Sequence, residues 1–330
     1  GRFDLVLTNP PFGANVGNDQ KVGSTEETRV TADGEKIAEY AARFGAPYRA
    51  SHTRMARAAE DRTPILDLYE IGKDKANRPT EMLFIERCLD LLKPGGRMGI
   101  VLPEGIFNNP SLDWLRRWTE GKARLLAVVS LPPETFVSAK ASVKASLLFL
   151  QRFSAQDEAN WRATWTQAHQ ELDPGFDAQR ADIHDEYDRR IAAYDRADLL
   201  PVLASLESLG VTPDGNRWRE PEKWNADARK RAQALKRQLN QALTPADRER
   251  RKALQKELTA GLKAIDAAQE AALWARVREI FDYPVFFAEP ERVGITSTGA
   301  DGPNDLPEIA RQYRQFREDP ERFFLSGSGE

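Results

Sequence analysis

Asn9-Pro10-Pro11-Phe12 brings an amide, two ring-locked residues and an aromatic side chain into four consecutive positions. Asn9 offers a side-chain carbonyl as a hydrogen-bond acceptor. Pro10 offers a backbone carbonyl whose direction is stiffened by two successive fixed φ angles, and neither proline carries an N–H. Two fixed acceptors can hold both hydrogens of a planar –NH2 group. An exocyclic amine on adenine is conjugated with its ring and is a poor nucleophile. Accepting both its hydrogens favours a geometry in which the lone pair turns out of the ring plane toward an electrophile. Phe12 adds a flat apolar face, and stacking of a base on such a face is worth roughly 1–3 kcal/mol. That offsets part of the few kcal/mol needed to take a base out of duplex DNA. The plain alternative is a turn: Asn and Pro are turn residues, and a turn must follow a strand.

Other reactive groups are sparse. His52, His169 and His184 stand alone, without metal-ligand spacing, so no metal site is expected. Cys88 is the one cysteine and lies in an apolar helical stretch, which reads as a buried thiol in a reducing, cytoplasmic compartment. No apolar run is long enough to span a membrane, and no secretory leader is visible. A formal net charge of −3 excludes a general polyanion binder, so any nucleic-acid contact must come from a local basic patch.

The tetrapeptide needs a rigid element in front of it, and Phe3–Thr8 supplies one, a near-continuous apolar run that reads as a buried parallel-type strand. The stretch 13–78 is irregular, with short helical pieces expected at 35–44 and 53–59. Regularity returns at "RPTEMLFIERCLDLLKPGGRMGIVLP". An amphipathic helix is expected over 80–92, stopped by Pro94-Gly95-Gly96, then a buried strand over 98–102. Trp114, Leu115 and Trp118 mark a further helix, followed by strands at 125–131 and 143–151. Strands and helices alternating in this way predict an α/β sheet covered on both faces.

Beyond Arg152 the pattern turns helical. Seams run through Phe176, Ile183, Tyr187, Ile191 and Tyr194, then Ala228 to Ala242, then Leu254 to Ala268. Thr244-Pro245-Ala246-Asp247 is a helix start, with Thr as N-cap, Pro first and an acid in the first turn. So short a connection predicts that the second and third of these helices form an antiparallel, coiled-coil-like hairpin. Its Arg- and Lys-rich flanks read as a solvated face or as a nucleic-acid or partner surface. From Asp282 the chain is α/β-like again. Three regions follow: 1–152 as part of a catalytic sheet, 153–281 as a helical insertion, and 282–330 as a return strand, turn and terminal helix.

With these segments in view, the chain resembles the amino-group DNA methyltransferases that act on N6 of adenine in the γ arrangement. It looks most like the modification subunits of type I restriction–modification systems and their fused relatives. Asn9-Pro10-Pro11-Phe12 matches their catalytic motif, and "FIERCLDLLKPGGRMGIVLP" the helix and strand that follow it. "LLAVVSLPPETFVSAKASVKASLLFLQR" matches their late strands, and "YPVFFAEPERVGITSTGADGPNDLPEIARQYRQF" the stretch after their helical insertion. The resemblance implies a partial Rossmann-like class I fold, S-adenosylmethionine as cofactor, and double-stranded DNA as partner beside a specificity subunit or domain and a restriction subunit. It places Asn9 and Pro10 as acceptors and Phe12 as stacking face, with Phe136 as a second base-contacting aromatic. Lys140 and Lys144 lie where they could meet phosphates, and Thr80 and Glu81 where the family has residues close to the cofactor.

The chain departs from the family in one respect. In the γ order the glycine-rich turn and acidic groups that bind the cofactor precede the tetrapeptide, and here only Gly1 and Arg2 precede the first strand. The expectation is that the cofactor-binding half lies outside this chain, that the chain alone is inactive, and that the free edge of the first strand is open. The same tetrapeptide serves enzymes that methylate glutamine amides or RNA bases. A different class is also open: an interaction module whose helical hairpin docks a specificity subunit.

Overall fold

The computed structural model describes residues 3–26, 29–133, 135–136, 144–214, 217–296 and 298–324. The chain divides into two compact units, Gly1–Ala159 with Tyr283–Glu330, and Asn160–Asp282. Its opening elements are β1 (Phe3–Thr8), β2 (Asn15–Gly17), α1 (Gly34–Glu60), β3 (Asn77–Pro79), α2 (Thr80–Leu91) and β4 (Leu92–Pro103). Then come α3 (Gly105–Asn108), α4 (Asp113–Glu120), β5 (Ala123–Ser130), β6 (Ala145–Arg152) and α5 (Ala155–Ala192). The second unit continues with α6 (Leu200–Glu207), β7 (Thr212–Asp214), β8 (Arg217–Arg219), α7 (Ala226–Gln241) and α8 (Pro245–Ile280). The chain returns through β9 (Phe286–Ala288), β10 (Val293–Ile295), β11 (Asp301–Asn304) and α9 (Leu306–Glu318).

The first unit is an α/β fold around a five-stranded sheet in the order β1-β4-β6-β5-β9. β1 runs parallel to β4, and β5 parallel to β9, while β6 between them is antiparallel to both β4 and β5. Four strands therefore point the same way. Alternate residues of the central strands, Met98, Ile100 and Leu102 with Leu148 and Leu150, pack against Leu83, Ile85 and Leu89 of α2 and Leu115 of α4. Each such side chain contributes on the order of 1.5–3 kcal/mol by leaving water.

The opposite face is covered unevenly. Ala127, Phe149 and Phe286 pack under Tyr313 and Phe316 of α9. Toward β1 the cover ends: Leu5 is 58% and Leu7 70% exposed. Gly99 lets the sheet close here, since a Cβ at that position would meet Leu7 at 2.8 Å and Phe149 at 3.1 Å. β1 has β4 as its one partner among the described residues, which leaves an apolar edge strand.

Three local expectations are corrected. Pro94-Gly95-Gly96 lies inside β4, where Gly95 at φ +78° accompanies a register shift between Phe3 and Leu5; α2 has already ended at Leu91. The helical pieces expected at 35–44 and 53–59 are joined in α1 across a sharp bend at Gly45, φ 68° and ψ −154°. The antiparallel partner along α8 is α5, where α7 was expected. Glu171–Arg276 (2.6 Å), Arg180–Asp266 (2.8 Å) and Tyr187–Glu257 (3.3 Å) climb one helix while descending the other. A tryptophan cluster fixes this pairing, Trp161 and Trp165 lying 5.9 and 5.1 Å from Trp274. α7 packs instead beside α6, around Leu206, Ala232 and Leu235.

Candidate active site

The four co-directed strands deliver their carboxyl ends to one rim of the sheet, the place where open α/β sheets take ligands. Asn9-Pro10-Pro11-Phe12 follows β1, Glu104 follows β4, the 131–136 turn follows β5, and Glu289 follows β9. Asn9 is exposed, and its side chain makes no hydrogen bond among the described residues. Pro10 is buried, which anchors the turn, and its carbonyl likewise accepts no hydrogen bond among the described residues. Both acceptors are thus available, and no backbone N–H stands between them.

Phe12 is half-buried and meets Phe136, the ring centroids 6.4 Å apart and the planes at 69°. An edge-to-face contact of this kind contributes about 0.5–1.5 kcal/mol. Phe136 reaches the rim because Thr135 folds back, its N–H and hydroxyl both donating to the Pro132 carbonyl at 3.1 and 2.7 Å. Sequence separation hides this pairing of aromatic rings; the topology creates it by placing β1 and β5 in one sheet.

The turn after Phe12 is tied to the first turn of α2. β2 pairs with β3 antiparallel, and the Thr80 N–H and hydroxyl both donate to the Ala14 carbonyl, at 2.9 and 3.0 Å. Thr80 thus serves the loop and has no hydroxyl proton to spare for a ligand. Glu81 is different. It is 8% exposed, and its Oε2 is buried without a hydrogen-bond partner among the described residues. A buried carboxylate oxygen left unbonded is costly, and a cationic or N–H-bearing ligand would satisfy it.

The remaining sequence candidates fare unequally. Lys144 donates to Glu289 at 3.2 Å, a carboxylate that also accepts from Ser130 at 3.3 Å, so its charge is already partnered. Lys140 lies outside the described residues. One rim residue was not foreseen: Glu104 accepts from the Ser146 hydroxyl at 3.0 Å, and its N–H donates to the Lys144 carbonyl at 2.9 Å. The sole sequence signal for it is an acid directly after a buried strand. No cluster of potential metal ligands is present among the described residues, and no helix among them is long and apolar enough to cross a membrane.

A mixed α/β sheet thus carries an exposed amide, a proline carbonyl without a hydrogen bond among the described residues and two facing rings at its carboxyl rim, where open α/β sheets take ligands. Residues 47–193 match the family model N-6 DNA Methylase, a span that begins downstream of Phe12. No curated protein matches. Among solved structures, a Listeria monocytogenes protein described as a class I S-adenosylmethionine-dependent methyltransferase shares 16% identity, TM-score 0.28, over 47% of this chain and 33% of that one. A chain from a type I R-M system shares 26%, TM-score 0.26, over 46% and 21%. The modification subunit described for a type I restriction enzyme of Vibrio vulnificus YJ016 shares 22%, TM-score 0.27, over 46% and 23%. The chain spans a third or less of each of these relatives.

That match implies S-adenosylmethionine as methyl donor. The orphaned Oε2 of Glu81, next to the turn that follows the tetrapeptide, fits such a cationic, N–H-bearing molecule. Thr80 and the Gly95-Gly96 pair do not add to the fit: the hydroxyl is committed to Ala14, and the glycines shape a bulge within β4.

Proposed function

We propose that this chain provides the amine-binding and base-stacking part of a DNA methyltransferase acting on N6 of adenine. The observation that carries the proposal is the pair of unoccupied acceptors, the Asn9 amide oxygen and the Pro10 carbonyl, beside the Phe12 ring at the carboxyl rim of the sheet. An adenine taken out of the duplex lays its face on Phe12 and gives one amino hydrogen to each acceptor. Both N–H bonds are then directed, and the nitrogen lone pair is turned away from conjugation with the ring. When bound, S-adenosylmethionine supplies a methyl group on a positively charged sulfur. Attack of N6 on that carbon would break its bond to sulfur, release the neutral thioether and leave positive charge on the amine until one proton passes to water; two carbonyl dipoles already aimed at its hydrogens would stabilise that charge without reorganising. Glu81 holds a donor group of the cofactor.

Phe136 has a part in entry. In the absence of a base its edge rests against Phe12. An arriving base takes over the stacking face, so the contact it replaces softens the cost of leaving that apolar surface bare.

The test is a transfer assay of the whole enzyme carrying this chain, with tritiated S-adenosylmethionine and three acceptors: duplex DNA, structured RNA, and a protein bearing an exposed glutamine. Label in DNA, recovered as N6-methyladenine after nuclease digestion, is the expected result. Label in RNA or in the glutamine amide alone would assign the clamp to a different amine and overturn the proposal.

A further inference from the structure

The bend in α1 builds a second feature apart from the amine clamp. In a straight helix, residues eight apart are about 12 Å distant along the axis. Gly45 turns the chain so that Tyr40 and Tyr48 come within 5.6 Å, ring to ring, with Phe44 6.5 Å from Tyr48. His52 continues the row at 5.9 Å from Tyr48, held by its Nε2 against the Thr31 carbonyl at 2.9 Å. Tyr40 and Phe44 remain 37% and 43% exposed.

Against this row lies a cavity of about 530 Å3, walled by Val22, Tyr48, His52 and Tyr69 and flanked by Arg29 and Arg87. No carboxylate lines it among the described residues. The Arg87 guanidinium lies 5.0 Å from the Tyr69 ring centre, and that of Arg43 5.1 Å from Phe44. None of Arg29, Arg43 and Arg87 forms an ion pair among the described residues. Two cations without an ion pair among the described residues, over an apolar, aromatic floor, suit a ligand that is flat at one end and anionic at the other, which describes a nucleotide. Planar guanidinium groups also suit phosphate geometry better than ammonium groups do.

We infer that this cavity receives a nucleotide of the DNA strand outside the target adenine, its base against Tyr48 and its phosphate between Arg29 and Arg87, with the strand continuing over Phe44 and Tyr40. The choice of DNA over a free nucleotide rests on the function proposed above. Two observations favour a strand: the exposed rings extend beyond the cavity, and the wall at Val22 is reached from Phe12 through the single segment containing β2. Ten residues from Phe12 to Val22 bound the separation at about 35 Å, a span a DNA strand of several nucleotides can cover.

Fluorescence anisotropy on the full chain with a fluorescein-labelled single-stranded 30-nucleotide DNA, repeated across salt concentrations, tests this. Arg29→Gln with Arg87→Gln should lower the slope of log affinity against log salt by about 0.7, the share of one phosphate on a single strand. Tyr48→Leu should weaken binding about tenfold, the scale of one lost stack, while Tyr48→Phe keeps it. Thermal melts of each variant check that the fold is retained. Unchanged affinity and slope in all variants, with normal binding by the parent, would overturn this site and leave the methyltransferase reading standing. Failure of the parent chain to bind DNA at all would overturn both. Displacement of the strand by an equal concentration of deoxyadenosine monophosphate would assign the cavity to free nucleotides and overturn the strand.

Discussion

Asn9 and Phe12 sit in the same turn, yet their replacement should damage different steps. In the proposed complex Asn9 touches the reacting nitrogen, so Asn9→Ala would remove an interaction that strengthens as charge develops. The expected loss is about 10²–10³-fold in turnover, the scale of deleting one preorganised group, with DNA binding nearly intact. Phe12 acts on the base. Phe12→Ala should weaken capture of an extruded base about tenfold, the lower part of the stacking range, whereas Phe12→Trp should preserve it. Binding of DNA with a mismatched, already unpaired adenine separates the two. Cys88 is a contrasting residue: burial pushes its thiol up, opposed by the charge of Arg87, so it should resist alkylation at neutral pH until the chain unfolds. The turn of Asn9, Pro10 and Phe12 at a strand end was legible because it depends on residue type and adjacency. The helix start at Thr80 and Glu81 was legible too, but not what their side chains bond. What separates them, a hydroxyl spent on Ala14 and a carboxylate oxygen left unbonded, follows from the three-residue pairing of β2 with β3, too short to leave a periodic pattern.

At the scale of elements, two features of local geometry carry testable consequences. Gly45 occupies φ 68°, where a Cβ is strained, and its bend assembles Tyr40, Phe44 and Tyr48. Gly45→Ala should cost about 1–2 kcal/mol and disperse the aromatic cluster, seen as a lower melting temperature and a changed near-ultraviolet circular dichroism. At the start of α8, Thr244 and Asp247 cap each other, with the Asp247 N–H donating to Oγ1 of Thr244 at 3.3 Å and the Thr244 N–H to the carboxylate at 2.8 Å. Thr244→Ala should cost about 1 kcal/mol in urea unfolding of the helical unit. This cap was readable from four letters. The partner of α8 was not: the heptad-like seams of α5, α7 and α8 look alike, and the choice of α5 depends on Trp161 and Trp165 meeting Trp274, more than a hundred residues further along the chain.

For the molecule as a whole, charge and exposed apolar surface set the behaviour in solution. Several carboxylates are held below their ordinary range: Glu171 by Arg276, Asp173 by His169, and Asp247 by the Thr244 backbone and hydroxyl and then Arg196. For Asp157, burial pushes upward, but Ser154 and Arg124 outweigh it. A depressed folded pKa means the folded state binds fewer protons than the unfolded state. The stabilisation is therefore complete above the unfolded values, about 3.9 for Asp and 4.3 for Glu, and is lost as pH falls through the lower folded values. Helical melting followed at 222 nm should shift little between pH 7 and pH 5 and fall steeply from pH 4 to pH 2. The edge strand β1 adds a second property. Leu5 and Leu7 face outward beside an unpaired backbone edge, so the isolated chain should self-associate with rising concentration, and Leu5→Lys with Leu7→Lys should suppress this in sedimentation. The α/β class was readable from strands bounded by turn chemistry. The antiparallel β6 and the uneven cover of the sheet were not, because direction and neighbour order are long-range properties that no local pattern encodes.

The most direct examination of the amine clamp is nucleoside mass spectrometry of DNA incubated with S-adenosylmethionine and the enzyme carrying this chain, in parental form and as Asn9→Ala. N6-methyladenine should accumulate with the parent and fall at least a hundredfold with the variant, while both bind DNA alike. Equal N6-methyladenine from the two would show that the Asn9 amide does not hold the reacting amine.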